Sequence, residues 1–86
     1  MTSNPIPRLV IVSPCYNEEA ILAYSARELT SLLERLIAAG KILPTSHVLY
    51  VNDGSRDRTW EMIEELHQEN TFIDGLCLAG NVGSEL

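Results

Sequence analysis

Along the chain, short unbroken apolar runs alternate with longer stretches in which apolar residues recur every third or fourth position. Leu9, Val10, Ile11 and Val12 form the first run. It lacks the in-out alternation of a half-exposed strand and predicts a strand buried on both faces of a parallel sheet, stopped by Pro14. Over residues 18–39 the apolar positions Leu22, Leu29, Leu33 and Leu36 fall on one stripe of a helix, with Gly40 placed to end it. After a turn through Pro44, the run Val48, Leu49, Tyr50, Val51 repeats the buried-strand signature. Trp60, Met62, Ile63 and Leu66 mark a second helix over residues 59–69, with Trp60 packing on its apolar side, and a third strand is expected over residues 72–78.

The predicted fold is therefore α/β, an open and mainly parallel sheet with β-α-β-α-β order. Residues 1–7, polar and carrying two prolines, read as a disordered lead. Residues 8–86 read as one unit. Right-handed crossovers that step in one direction give the strand order 3-2-1 and place both helices on the same face. Strands apolar on both faces would then leave the second face bare. That predicts either further covering segments or a homodimer through this face or the edge of the first strand.

Composition narrows the function. With 45% hydrophobic and 21% charged residues the chain is an ordinary globular sequence. Its formal charge of -6, with six scattered basic residues, disfavours nucleic acid and anionic membrane surfaces, which call for clustered Lys and Arg. No stretch reaches the roughly 20 apolar residues that span a bilayer, and the first residues lack a signal-peptide core. The expected location is cytoplasmic. Cys15 and Cys77 belong to no Cys-x-x-Cys pair. Sitting on strands separated by a third, they are expected to remain free thiols.

In an open parallel sheet, ligands bind at the carboxyl ends of the strands. The two segments there read Pro14-Cys-Tyr-Asn-Glu-Glu19 and Asn52-Asp-Gly-Ser-Arg-Asp-Arg58. Both carry two carboxylates, balanced in the second by Arg56 and Arg58, and they share a single glycine, Gly54. That excludes the phosphate cradles of Walker and dinucleotide loops, which need several glycines. Carboxylates do suit ribose hydroxyls and the ring N–H of uracil or guanine. Phosphates would then need a divalent cation held by further carboxylates.

The strings PCYNEE, VNDGSRDRTW and GNVG resemble the family 2 glycosyltransferases of GT-A fold, and most closely their polyprenyl-phosphate branch. The resemblance covers residues 9–86, with Gly80 and Ser84 standing where that family often carries basic residues. It implies that Pro14, Tyr16 and Glu18 line a nucleoside pocket, Glu18 toward the ribose, and that Asp53 hydrogen-bonds the base. It further implies a UDP- or GDP-sugar donor, a lipid-phosphate acceptor, inversion at the transferred hexose, and Mg2+ or Mn2+ held by residues outside this chain. On that reading the chain is the N-terminal, nucleotide-binding part of an enzyme expected at the cytoplasmic face of the membrane, and is not itself catalytic.

Plainer roles compete with these. Asn17 is a ready N-cap, with Glu18 and Glu19 in the favourable first turn. Asp57 and Thr59 read as caps of the second helix, Ser55 as a turn residue, and His47 and His67 as solvated. The Asp53-Gly54 pair suits any turn. Two other classes remain open: a non-catalytic nucleotide-binding or subunit-interaction module, and a flavodoxin-like domain. Against the latter, the first loop offers Tyr16, Glu18 and Glu19 where Ser, Thr or Gly would serve a phosphate.

Overall fold

A computed structural model describes residues 5–78 and 84–85. Strands β1 (Val10–Cys15), β2 (His47–Asn52) and β3 (Ile73–Cys77) alternate with helices α1 (Glu19–Ala38) and α2 (Thr59–Glu69), and a short β4 (Ser84–Glu85) follows. The sheet order is β1-β2-β3-β4. The first three strands are parallel, with Cys15 level with Asn52 and Asn52 level with Cys77, while β4 lies antiparallel to β3. The α/β fold and the sequential strand order match expectation; the antiparallel β4 was not anticipated. The GNVG segment, like residues 1–4, lies outside the described residues.

Burial alternates strictly along the strands. Val48, Tyr50, Ile73 and Cys15 turn toward the helices, joining Leu22, Ala26, Leu33 and Ile63 in one core, with Trp60 packed against it. Each large apolar side chain so buried stabilises the fold by about 1.5–3 kcal/mol relative to leaving it in water. Val10, Val12 and Leu78 are exposed on the opposite face, Val12 by 58%. Both helices therefore cover one face of the sheet, as two like-handed crossovers require.

Helix α1 ends as Gly40 foretells. Gly40 adopts φ +72, its N–H donates to Ile37 O (2.9 Å), and the Lys41 N–H donates to Leu36 O (2.9 Å). This is the Schellman arrangement, which needs a residue at ease in the left-handed region. The chain then returns to the sheet through buried Ser46, whose hydroxyl accepts from the Leu9 N–H (2.9 Å).

Two expectations are corrected. Pro14 does not stop β1, which runs on to Cys15. The His47 N–H donates to Leu9 O and the Asp53 N–H to Cys15 O, so the odd-numbered backbone groups of β1 face β2 and the even-numbered ones face the open edge. The N–H that proline lacks would point to that edge, so no ladder bond is lost. Nor do the two histidines stand alone: His47 Nε2 lies 3.2 Å and His67 Nδ1 3.4 Å from the two oxygens of Asp74, and His67 Nδ1 is 2.7 Å from Ile73 O, with the His67 side chain still 37% exposed.

Cys15 and Cys77 are free and buried. Asn52 stands between them, and its amide Nδ2 donates to Cys77 Sγ (3.4 Å). Two strand spacings, about 9.6 Å, exceed the reach of a disulfide, about 7 Å between Cα atoms. Among the described residues no helix is long and apolar enough to cross a membrane.

Candidate nucleotide-binding rim

The carboxyl ends of β1 and β2 feed two loops, residues 16–18 and residues 53–58. The Asp53 N–H donates to Cys15 O (3.0 Å), and Tyr16 and Asp53 each follow directly on the last paired residues of the strands, Cys15 and Asn52. Neighbouring strand ends are about 4.8 Å apart. Pro14 is exposed at the end of β1, Tyr16 is 55% exposed, Asp53 is exposed, and Glu18 is half-buried at the mouth of α1. All four anticipated residues thus lie along one rim. Among the described residues the carboxylates of Asp53 and Glu18 accept no hydrogen bond, which leaves them free to take ligand donors.

Each loop has a backbone feature that aims it. Gly54 takes φ +71, the left-handed conformation that lets the chain turn sharply after Asp53. Nothing lies within 4 Å of where its Cβ would stand, so the requirement is for that dihedral and not for space. Asn17 takes φ +50, which asparagine tolerates better than most residues.

Asn17 is not the cap of α1. That position falls to Glu18, whose side chain makes no capping bond. The first amides of the helix are served instead from the second loop. Asn17 N–H donates to Ser55 Oγ (2.9 Å), Glu18 N–H to Thr59 Oγ1 (2.9 Å) and Glu19 N–H to Asp57 Oδ2 (3.3 Å). In return, the Arg56 N–H donates to Asn17 Oδ1 (2.7 Å). Ser55 is more than a turn residue, and Thr59, fully buried, faces α1 as well as starting α2. Asp57 does serve α2, its Oδ1 accepting from the Thr59 N–H (2.9 Å) and from the Thr59 hydroxyl. These bonds, the Thr59 hydroxyl foremost, hold the Asp57 carboxyl below its ordinary value. Burial does the reverse to the neighbouring Cys15 thiol, pushing it up to about 11, with Glu18 adding to the shift.

Such a rim suits a polar, partly aromatic ligand. Tyr16 offers a ring face, and two free carboxylates offer acceptors to hydroxyls and ring N–H groups. A groove between α1 and α2, lined by Ala23, Arg27, Thr30 and Leu66 among others, shares no residue with it.

Residues 10–83 match the family described as glycosyl transferase family 2. The chain is 42% identical over 79 residues to a Bacillus subtilis (strain 168) protein named as the uncharacterized glycosyltransferase YkoT, a match covering 92% of this chain and 23% of that protein. It is 37% identical over 78 residues to the uncharacterized glycosyltransferase sll0501 of Synechocystis sp. (strain ATCC 27184 / PCC 6803 / Kazusa), covering 91% of this chain and 23% of that one. The chain thus spans about a quarter of the length of these relatives.

Proposed function

Because the chain belongs to glycosyl transferase family 2, we propose that its rim binds the nucleoside of a UDP- or GDP-sugar, for a longer protein that transfers the hexose with inversion to a polyprenyl phosphate. Tyr16 and Pro14 pack against the nucleoside, Glu18 accepts from the ribose and Asp53 from the base. The observation that carries this reading is that an unpartnered Asp53 and an exposed Tyr16 directly follow the paired ends of β2 and β1, Asn52 and Cys15.

The diphosphate would be neutralised by Mg2+ or Mn2+, which stabilises the leaving group. Among the described residues no three His, Cys, Asp or Glu side chains converge as a cation site. The cation's ligands would then lie elsewhere in the longer protein. Transfer to a lipid phosphate would place the protein at the cytoplasmic face of a membrane.

Calorimetric titration of the full-length protein with UDP and GDP, with and without Mn2+, tests the reading. One of the two should bind, and Asp53→Ala should weaken it roughly 10- to 150-fold, the effect of losing one hydrogen bond to a charged group. Binding unaffected by Asp53→Ala would remove the base-binding assignment.

The bare sheet face supports a second reading, that copies of the chain pair through Val10, Val12 and Leu78. Large exposed apolar patches mark association surfaces. Light scattering of the full-length protein decides it, a monomer at all concentrations ruling it out.

A further inference from the structure

Four hydrogen bonds join the two loops across 38–41 residues of sequence. They have a common direction: three of the four put a side chain from the second loop or from Thr59, the first residue of α2, onto an amide at or just before the start of α1. A helix leaves its first four N–H groups without partners inside the helix. Here the cap that α1 lacks in its own sequence comes from the neighbouring crossover. We infer that Ser55, Asp57 and Thr59 are positioning residues of the nucleotide rim, fixing Tyr16 and Glu18 against Asp53 without touching the ligand themselves.

Thr59 and Asp57 form the centre of this device. The Thr59 hydroxyl accepts from the Glu18 N–H and donates its own proton to Asp57 Oδ1, so its single donor is committed. Thr59 is 0% exposed, so this hydroxyl meets the Glu18 N–H inside the fold. Asp57 divides its two oxygens between the helices, Oδ1 toward the N-terminus of α2 and Oδ2 toward the Glu19 N–H of α1. One carboxylate thereby sets the relative placement of both helix starts. Asn17 closes the circuit from the other side, its left-handed backbone turning Oδ1 onto the Arg56 N–H. Glu18, at the N-cap of α1, and Asp53, at the start of the second loop, are then held in one rigid frame. This placement matters to the ligand only if the rim binds a nucleotide, so the consequence for affinity rests on the function proposed above.

The test uses the full-length protein with Thr59→Val, which keeps the shape and removes the hydroxyl, Thr59→Ser, which restores it, and Asp57→Asn. Amide hydrogen exchange at residues 17–19 is measured without ligand, and UDP and GDP affinities are measured separately. Thr59→Val and Asp57→Asn should speed exchange at residues 17–19 roughly tenfold and weaken the bound nucleotide roughly tenfold, the order expected when a buried donor loses its acceptor. Amides in the middle of α1 should be unchanged. Thr59→Ser should return both readouts to within about threefold of the parent. Unchanged exchange at residues 17–19, or faster exchange with affinity intact, overturns the inference. If the parent binds neither UDP nor GDP, the functional reading fails, and exchange at residues 17–19 alone decides whether the second loop orders the first.

Discussion

Gly40 and Gly54 form a matched pair, and replacing each by alanine separates the fold from the site. Their dihedrals are nearly identical, φ +72 and +71, and neither would bring a Cβ within 4 Å of another group. The cost of alanine is therefore backbone strain alone, about 1–2 kcal/mol for a left-handed residue. It is partly offset by the 0.4–1 kcal/mol that alanine gains by restricting the unfolded chain. Each variant should lose roughly 0–1.5 kcal/mol, and the two losses should agree within about 0.5 kcal/mol. Their positions differ completely: Gly40 ends α1 beyond the core, whereas Gly54 aims the loop that carries Asp53. Urea unfolding and nucleotide titration of the full-length protein should thus show equal stability losses, but weaker binding only for Gly54→Ala. A stability loss above about 3 kcal/mol at either site would indicate a steric clash that these surroundings do not contain. Equal loss of affinity in both variants would show that the rim responds to general stability and not to the dihedral of Gly54.

Other outcomes follow from the same contacts. Cys15, buried and with its thiol pushed up to about 11, should react with a thiol reagent at pH 8 far more slowly than it does after unfolding, and equal rates would place it at the surface. The Asp57 carboxyl is held below its ordinary value, so its contribution to stability is present above the unfolded pKa and is lost as pH falls from about 4 through the folded value. Asp57→Asn should flatten that part of the stability profile, and a profile identical to the parent's would contradict the bonds drawn to Thr59 and Glu19. Leu33→Ala, at a position with no solvent exposure, should cost about 2–5 kcal/mol in urea unfolding, and a cost below about 1 kcal/mol would mean the α1 contact is not part of the core.

Much of this arrangement was legible in the residues. The unbroken runs at Leu9 to Val12 and Val48 to Val51, the stripe through Leu22 and Leu33, and Gly40 carry local signals that act within a few positions, and each led to the observed element. The rim was legible because parallel topology sends the ends of successive strands to one side of the sheet. Reading Pro14 as a stop failed because its effect depends on which side of the strand its nitrogen faces, and that is settled only when β1 becomes an edge. Ser55, Asp57 and Thr59 were read as local turn and cap residues. Asp57 does cap α2 through Thr59, but all three also satisfy amides about 40 residues away, and no periodicity within the chain encodes that pairing. Asn17 misled for the same reason: its type suits a helix start, while tertiary contact with Arg56 draws its side chain elsewhere. Asp74 escaped notice because the two histidines it meets stand 7 and 27 positions away.

A crystal structure of the full-length protein with UDP or GDP tests most directly the proposal that the ends of β1 and β2 hold the nucleoside of a sugar nucleotide. The base should lie against Tyr16 with its ring N–H donating to the Asp53 carboxylate at about 2.7–3.0 Å, and the ribose within reach of Glu18. A nucleotide bound elsewhere, with Tyr16 and Asp53 still facing solvent, would contradict it.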